Sequence, residues 1–147
     1  MKPISIRYPF FILLFITITT FKCFAQDAIE RLWFNEEKTA KIQIYKATDG
    51  KFYGKIVWLK EPLRNGKPKV DDKNPKEALQ KQPLMGLSLL KGFNKEGDNE
   101  YEDGTIYDPK NGKTYSCIIK HKGTHLDVRG YIGISLIGRT TTWSLAE

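Results

Sequence analysis

From Ala40 onward the chain is written in short runs of alternating apolar and polar residues, each stopped by a cluster of glycine, asparagine, aspartate or proline. An extended strand points successive side chains to opposite faces, so this period of two fits a sheet with one buried face and does not fit a helix. In "AKIQIY" Ile42 and Ile44 share one side while Lys41, Gln43 and Tyr45 share the other. "TDGK" turns, and "FYGKIVWL" returns with Phe52, Ile56 and Trp58 on one side. Gly50 supplies the positive φ that a tight hairpin turn demands. The same rhythm predicts strands over Leu84–Phe93, Glu100–Tyr107, Lys113–His121, Leu126–Ile134 and Arg139–Leu145. With Leu32–Phe34 these make about eight, and closing a sheet of that size removes the edges that invite aggregation. The expectation is an all-β fold, a small antiparallel β-barrel of about eight strands with one long loop carrying a short helix.

The long loop is Lys60–Pro83, with four prolines and many charges. Within it "NPKEAL" predicts a helix of one or two turns: Asn74 as cap, Pro75 in the first helical position and Glu77 in the third, completing a capping box. A helix so short cannot stand alone, so Ala78 and Leu79 are expected to rest on something larger.

The start of the chain follows a different logic. Lys2 and Arg7 are followed by the apolar run Pro9–Phe21, and Cys23-Phe24-Ala25 offers small residues at the positions signal peptidase reads. This predicts a secretory signal peptide over residues 1–25, cleaved after Ala25, and a protein that is exported, periplasmic or extracellular. The competing reading is an uncleaved membrane anchor, but the apolar run falls short of the roughly 20 residues that cross a bilayer, and no membrane span is expected after signal cleavage. Lys22 stands where lipidation at Cys23 would need a small residue. Residues 26–147 are then a single domain. Of the 24 basic residues Lys2, Arg7 and Lys22 lie in the signal, which leaves 21 against 17 acidic ones, too mild and scattered an excess for nucleic acid. Cys117 is then the sole cysteine, so no internal disulfide forms. Its alternation with Tyr115 and Ile119 in "TYSCIIK" marks a buried, small, apolar residue.

Few residues point to chemistry. In "YDPKNG" Pro109 fixes a turn φ, Asp108 can accept backbone hydrogen bonds and Asn111-Gly112 tolerates left-handed geometry, so the segment reads as a corner. His121 and His125 bracket a three-residue turn, but no third donor has a spacing that completes a zinc site, and "DDKN" lacks the ligand spacing of a calcium loop. No serine elbow, thiol–histidine motif or phosphate loop is present, so neither an enzyme nor a cofactor is expected. Aromatic content is the remaining lead. Residues 26–147 keep 12 of 18 aromatics, including Trp33, Trp58 and Trp143, and such side chains either plug a small barrel or line a cavity in it.

The blocks "AKIQIYKATDGKFYGKIVWLKEP", "NGKP" with "DDKNP", "PLMGLSLLKGF", "GTIYDPKNGKTY" and "LDVRGYIGISLIGRTTTW", in this order and spacing, resemble the exported bacterial proteins grouped as domain-of-unknown-function family 2147. The resemblance runs from about Leu32 to Trp143 and implies an all-β, barrel-like domain behind a signal peptide, with no catalytic residues to carry over. Family members often open with Gly-x-Trp, where this chain has Arg31-Leu32-Trp33, and often carry cysteines near the last Arg-Gly block, where it has Tyr131. A fold-level similarity to lipocalin-like barrels implies that Trp33 packs under an arginine of the final strands, Arg139 or else Arg129, closing one end.

Two functions follow as expectations. One is an exported barrel that binds a small apolar or amphipathic ligand, with Trp58, Tyr107, Arg139 and Trp143 lining or guarding the site and the long loop placed as a lid. The other is a solid barrel that acts through its surface, as an envelope interaction or stress-associated protein, contacting anionic envelope components through Arg64, Lys67, Lys69 and Lys73.

Overall fold

The computed structural model describes Met1 and residues 26–146. The expected signal peptide, its cleavage point after Ala25 and Cys23 lie outside the described residues. Ten strands follow in chain order: β1 (Leu32–Phe34), β2 (Ala40–Lys46), β3 (Phe52–Leu59), β4 (Leu63–Arg64), β5 (Lys67–Pro68), β6 (Ser88–Glu96), β7 (Glu100–Asp108), β8 (Lys113–His121), β9 (His125–Tyr131) and β10 (Gly138–Leu145). Eight of them close an antiparallel barrel in the order β1-β10-β9-β8-β7-β6-β3-β2, while β4 and β5 form a small hairpin of their own in the long loop. The expected all-β barrel of eight strands is thus the observed fold, and no helix among the described residues is long and apolar enough to cross a membrane.

Because every strand runs opposite to its neighbours, the connections sort to two ends. One end gathers the entering segment 26–31 and the turns β2–β3, β6–β7 and β8–β9. The other gathers the turn β1–β2, the long loop between β3 and β6, the turn β7–β8 and the loop β9–β10. The first end is sealed. Ile29 and Trp33 have no exposed surface, and the Trp33 Nε1–H donates to the Ile29 carbonyl at 2.9 Å. The His121 ring meets the indole edge-on at 5.7 Å, and Phe52 meets Tyr101 the same way at 5.1 Å. Asp27 ties the entering segment down, accepting from Lys95 Nζ at 2.6 Å and from the Tyr101 hydroxyl. Burial alone would raise the Asp27 pKa, but these hydrogen bonds and one from the Ile29 N–H hold it below the usual range.

Three expectations change here. No arginine sits on Trp33: Trp33 pairs with Leu145, while Arg139 lies six residues away toward the other end of β10, about 20 Å at strand rise. Arg129 instead bonds the loop that follows its own strand. Histidine and the sealed N-terminal segment take the arginine's place. The helix in the long loop is only a 3₁₀ turn, Glu77–Leu79, without a capping box. Asn74 Oδ1 accepts from the Lys76 N–H at 2.9 Å, a tighter local turn that competes with the cap, and Ala78 and Leu79 stay exposed. The strand expected over Leu126–Ile134 stops at Tyr131. Cys117 is fully buried, as its alternation implied, and burial pushes its thiol up to about 12.

Candidate functional site

Inside the barrel the two halves differ. Toward the sealed end Phe52, Phe93, Tyr101, Ile119 and Leu126 fill the interior. Gly104 shows how tightly: a Cβ placed there would come within 2.4 Å of three atoms of the Phe93 ring. Toward the other end the side chains do not fill the interior, and a cavity of about 990 Å³ opens to the surface. That is at the upper edge of the roughly 300–1,000 Å³ usual for small-molecule sites. Ile42 and Ile56 line one wall, Ile106, Val128 and Trp143 others, and Gly130 leaves a gap where a side chain would stand. The barrel is therefore solid in one half and hollow in the other.

Polar groups are kept at the rim. Tyr107, Tyr115 and Tyr131 face the opening, and charged residues around it pair off. Arg139 Nη2 meets Glu36 Oε2 at 3.0 Å, Arg64 meets Asp72 at 2.8 Å, and Lys69 meets Glu61 at 3.5 Å. Lys110 Nζ meets Glu37 Oε2 at 2.5 Å. This last pair joins the turn β7–β8 to the turn β1–β2, and β7 stands four strands from β1 by either route, so it spans the mouth. The Lys110 hydrogen bond and charge hold Glu37 below the ordinary carboxylate range. Water and salt screen an exposed pair of this kind, so the strap is easily parted.

The long loop packs over one side of the mouth. Asp71, fully buried, accepts from the Tyr107 hydroxyl at 2.7 Å and from Asn74 Nδ2 at 2.7 Å, while its own N–H donates to the Gln82 carbonyl. The turn β7–β8 is a second anchor. Gly112, at φ +72°, lies so close to the Lys73 carbonyl that a Cβ would stand 1.9 Å from its oxygen. "YDPKNG" is the corner its residues predict, with Asp108 accepting from the Lys110 N–H and from Asn111 Nδ2, each at 2.9 Å. It also rims the cavity through Pro109, Lys110 and Asn111.

Burial and Asp71 push the Tyr107 phenol up to about 12. A raised folded-state pKa favours the neutral phenol, so its contribution holds below the ordinary value of 10.0 and is lost as pH rises toward 12. Tyr107→Phe leaves the buried Asp71 short of a donor and should cost about 1–3 kcal/mol. Urea unfolding at pH 7 measures that cost, and proteolysis within the loop should quicken.

Of the four residues expected at the site, Tyr107, Arg139 and Trp143 border the cavity and Trp58 does not. Trp143 is in the wall, Tyr107 is the loop's anchor and Arg139 is at the edge of the mouth. Trp58 stands 38% exposed on the outer face, edge-on to Phe34 at 6.0 Å, with Lys41 Nζ over both rings. The reason is a β-bulge. Lys41 pairs with Trp58 and Ile42 with Ile56, which leaves Val57 unpaired, reverses the alternation and sends Leu59 inward instead. Gly130 escaped the sequence reading, although a glycine inside a strand away from any turn is a known sign of close approach or open space.

The model of the bacterial family described as "Uncharacterized protein conserved in bacteria (DUF2147)" matches residues 32–144, from β1 through the second last residue of β10. The chain belongs to this family. The DUF2147 barrel is similar in structure to protein HP1028 from Helicobacter pylori, a protein described as belonging to the lipocalin family, with a TM-score of 0.73. The two are 20% identical, and the match covers 82% of this chain and 84% of that one, so the likeness is one of fold. No curated protein matches the sequence.

Proposed function

We propose that this protein is exported and binds a small apolar or amphipathic molecule inside its barrel. The observation that carries the reading is the hollow half: a cavity of about 990 Å³, walled by aliphatic and aromatic side chains and reached through one polar rim. An apolar wall of this kind gains from excluding water, at about 25 cal/mol per Å² of apolar surface covered. The rim's phenols and paired charges suit a polar headgroup held at the mouth while an apolar body lies within. Lipocalin-like architecture supports the same reading, because an eight-stranded barrel is just wide enough to hold one small ligand.

Native mass spectrometry of residues 26–147, purified from the periplasm and compared with the denatured chain, tests this directly. An extra mass lost on denaturation supports the proposal and identifies the ligand; a bare chain that also takes up no apolar probe sinks it. The three tryptophans give a second test, since Trp143 is in the cavity wall, Trp33 in the sealed end and Trp58 outside. An apolar ligand should shift the emission of the wild type and of Trp58→Phe, and Trp143→Phe should lose that response.

A further inference from the structure

The large apolar side chains left exposed between residues 26 and 146 are not scattered. Leu63, Leu79 and Met85 are on the long loop, Trp58 is near the end of β3 that feeds it, and the other four are on the loop β9–β10. None is at the sealed end. In "YIGISLIG" Ile132, Ile134, Leu136 and Ile137 are 69%, 58%, 85% and 71% exposed, four aliphatic chains within six residues beside the cavity mouth. Clustered exposure of this kind marks a surface that meets something apolar.

Three carbonyls at the tip of that loop already have partners within the chain. A carbonyl moved out of water needs a partner from its own chain. The Ile134 carbonyl accepts from the Ile137 N–H at 3.1 Å, the Ser135 carbonyl from Arg129 Nε at 2.7 Å, and the Leu136 carbonyl from Arg129 Nη2 at 3.2 Å. Arg129 Nη1 donates to Thr140 Oγ1 at 2.9 Å, fixing the guanidinium at the loop's base. Three consecutive carbonyls beneath the exposed aliphatic chains are thus satisfied from within. Charge complements this. The long loop on the same end carries seven basic and four acidic residues, which favours an anionic surface.

We propose that the open end docks on an anionic lipid bilayer, with Ile132, Ile134, Leu136 and Ile137 entering its interface and the cavity mouth facing the lipid. Ile132 and Ile137 also line the cavity, whereas Ile134 and Leu136 do not. Aliphatic chains on a narrow loop, with the carbonyls of Ile134, Ser135 and Leu136 already bonded, fit a fluid apolar layer, whereas a protein partner would offer its own donors and pockets. Arg129, at the loop's base, would stand level with the lipid phosphates.

Residues 26–147 contain every barrel strand and are the chain to test. Vesicles of phosphatidylglycerol and phosphatidylethanolamine should carry the protein in a flotation assay, with weaker partition into pure phosphatidylcholine and at raised salt. The double substitution Ile134→Ser, Leu136→Ser should lower the partition at least about tenfold, since both chains would be buried on insertion. The thermal melt should stay unchanged, because both residues are exposed in solution. Leu136→Trp gives a direct readout: brominated lipid should quench the added emission. Failure to float on the anionic vesicles, or equal flotation of the double variant, would overturn the proposal. So would a wild-type dimer that the double variant breaks, since a second copy would then be the cover.

Discussion

Trp33→Ala is expected to lower the unfolding free energy by about 3–5 kcal/mol. That would be a large share of the roughly 5–15 kcal/mol that holds a domain of this size folded. The indole is fully buried, so its removal forfeits a large apolar contact area and leaves a hole that the surrounding strands cannot fully close. It also strips the Ile29 carbonyl of the Nε1–H donor and removes the surface against which His121 rests. Urea unfolding of residues 26–147 measures the loss, and a cost below about 1 kcal/mol would show that the sealed end is not the anchor described here. His121 supplies an independent check. Burial, with a smaller push from the Arg31 charge, holds its imidazole below the ordinary 6.5. A lowered pKa favours the neutral ring in the folded state, so this contribution is intact above 6.5 and is lost as pH falls below it. In Trp33→Ala the ring regains water, and an NMR titration should find its pKa moved back toward the ordinary value.

Gly130→Leu is expected to weaken binding of an apolar probe such as 1-anilinonaphthalene-8-sulfonate by at least about 100-fold, roughly 2.8 kcal/mol, with little change in stability. A Cβ at Gly130 would meet Ile106 Cγ2 at 3.5 Å and Tyr115 Cβ at 3.6 Å, ordinary van der Waals separations, so the first atom is accommodated without strain. The remaining atoms extend into the cavity that Gly130 borders and occupy the space a ligand needs. Fluorescence titration measures the affinity and a thermal melt the stability. Unchanged affinity would place the probe elsewhere on the protein. The same change at Gly104 would drive a side chain into the Phe93 ring, so only one of these two inward glycines opens on free space.

Much of the barrel was readable in advance because alternation and turn chemistry are local. β8 was expected over Lys113–His121 and is found there. The misplacement of Trp58 came from one unpaired residue, Val57, which leaves the apolar spacing of Ile56 and Trp58 looking regular while the pairing with β2 slips. The arginine expected over Trp33 failed for a reason of length: in an antiparallel strand, the residue at one end of β10 cannot serve the residue paired at its other end. Asp71 was invisible as an anchor because its partner Tyr107 is 36 residues away. The cavity was harder still. Whether aromatic side chains plug a barrel or leave it hollow depends on where the large ones fall along its axis, and Phe52, Phe93 and Tyr101 fall together at one end.

That uneven placement bears on motion and on evolutionary change. Amide hydrogens around Trp33 and Tyr101 should exchange only when the whole molecule opens, whereas those of the mouth, held by exposed ion pairs and one loop anchor, should exchange through local fluctuations. If the cavity takes a guest as proposed, its entry and exit would require no global unfolding. Substitutions around the mouth would then alter which guest is accepted while the sealed base continues to specify the architecture, leaving descendants of one such barrel free to diverge in cargo before they diverge in shape.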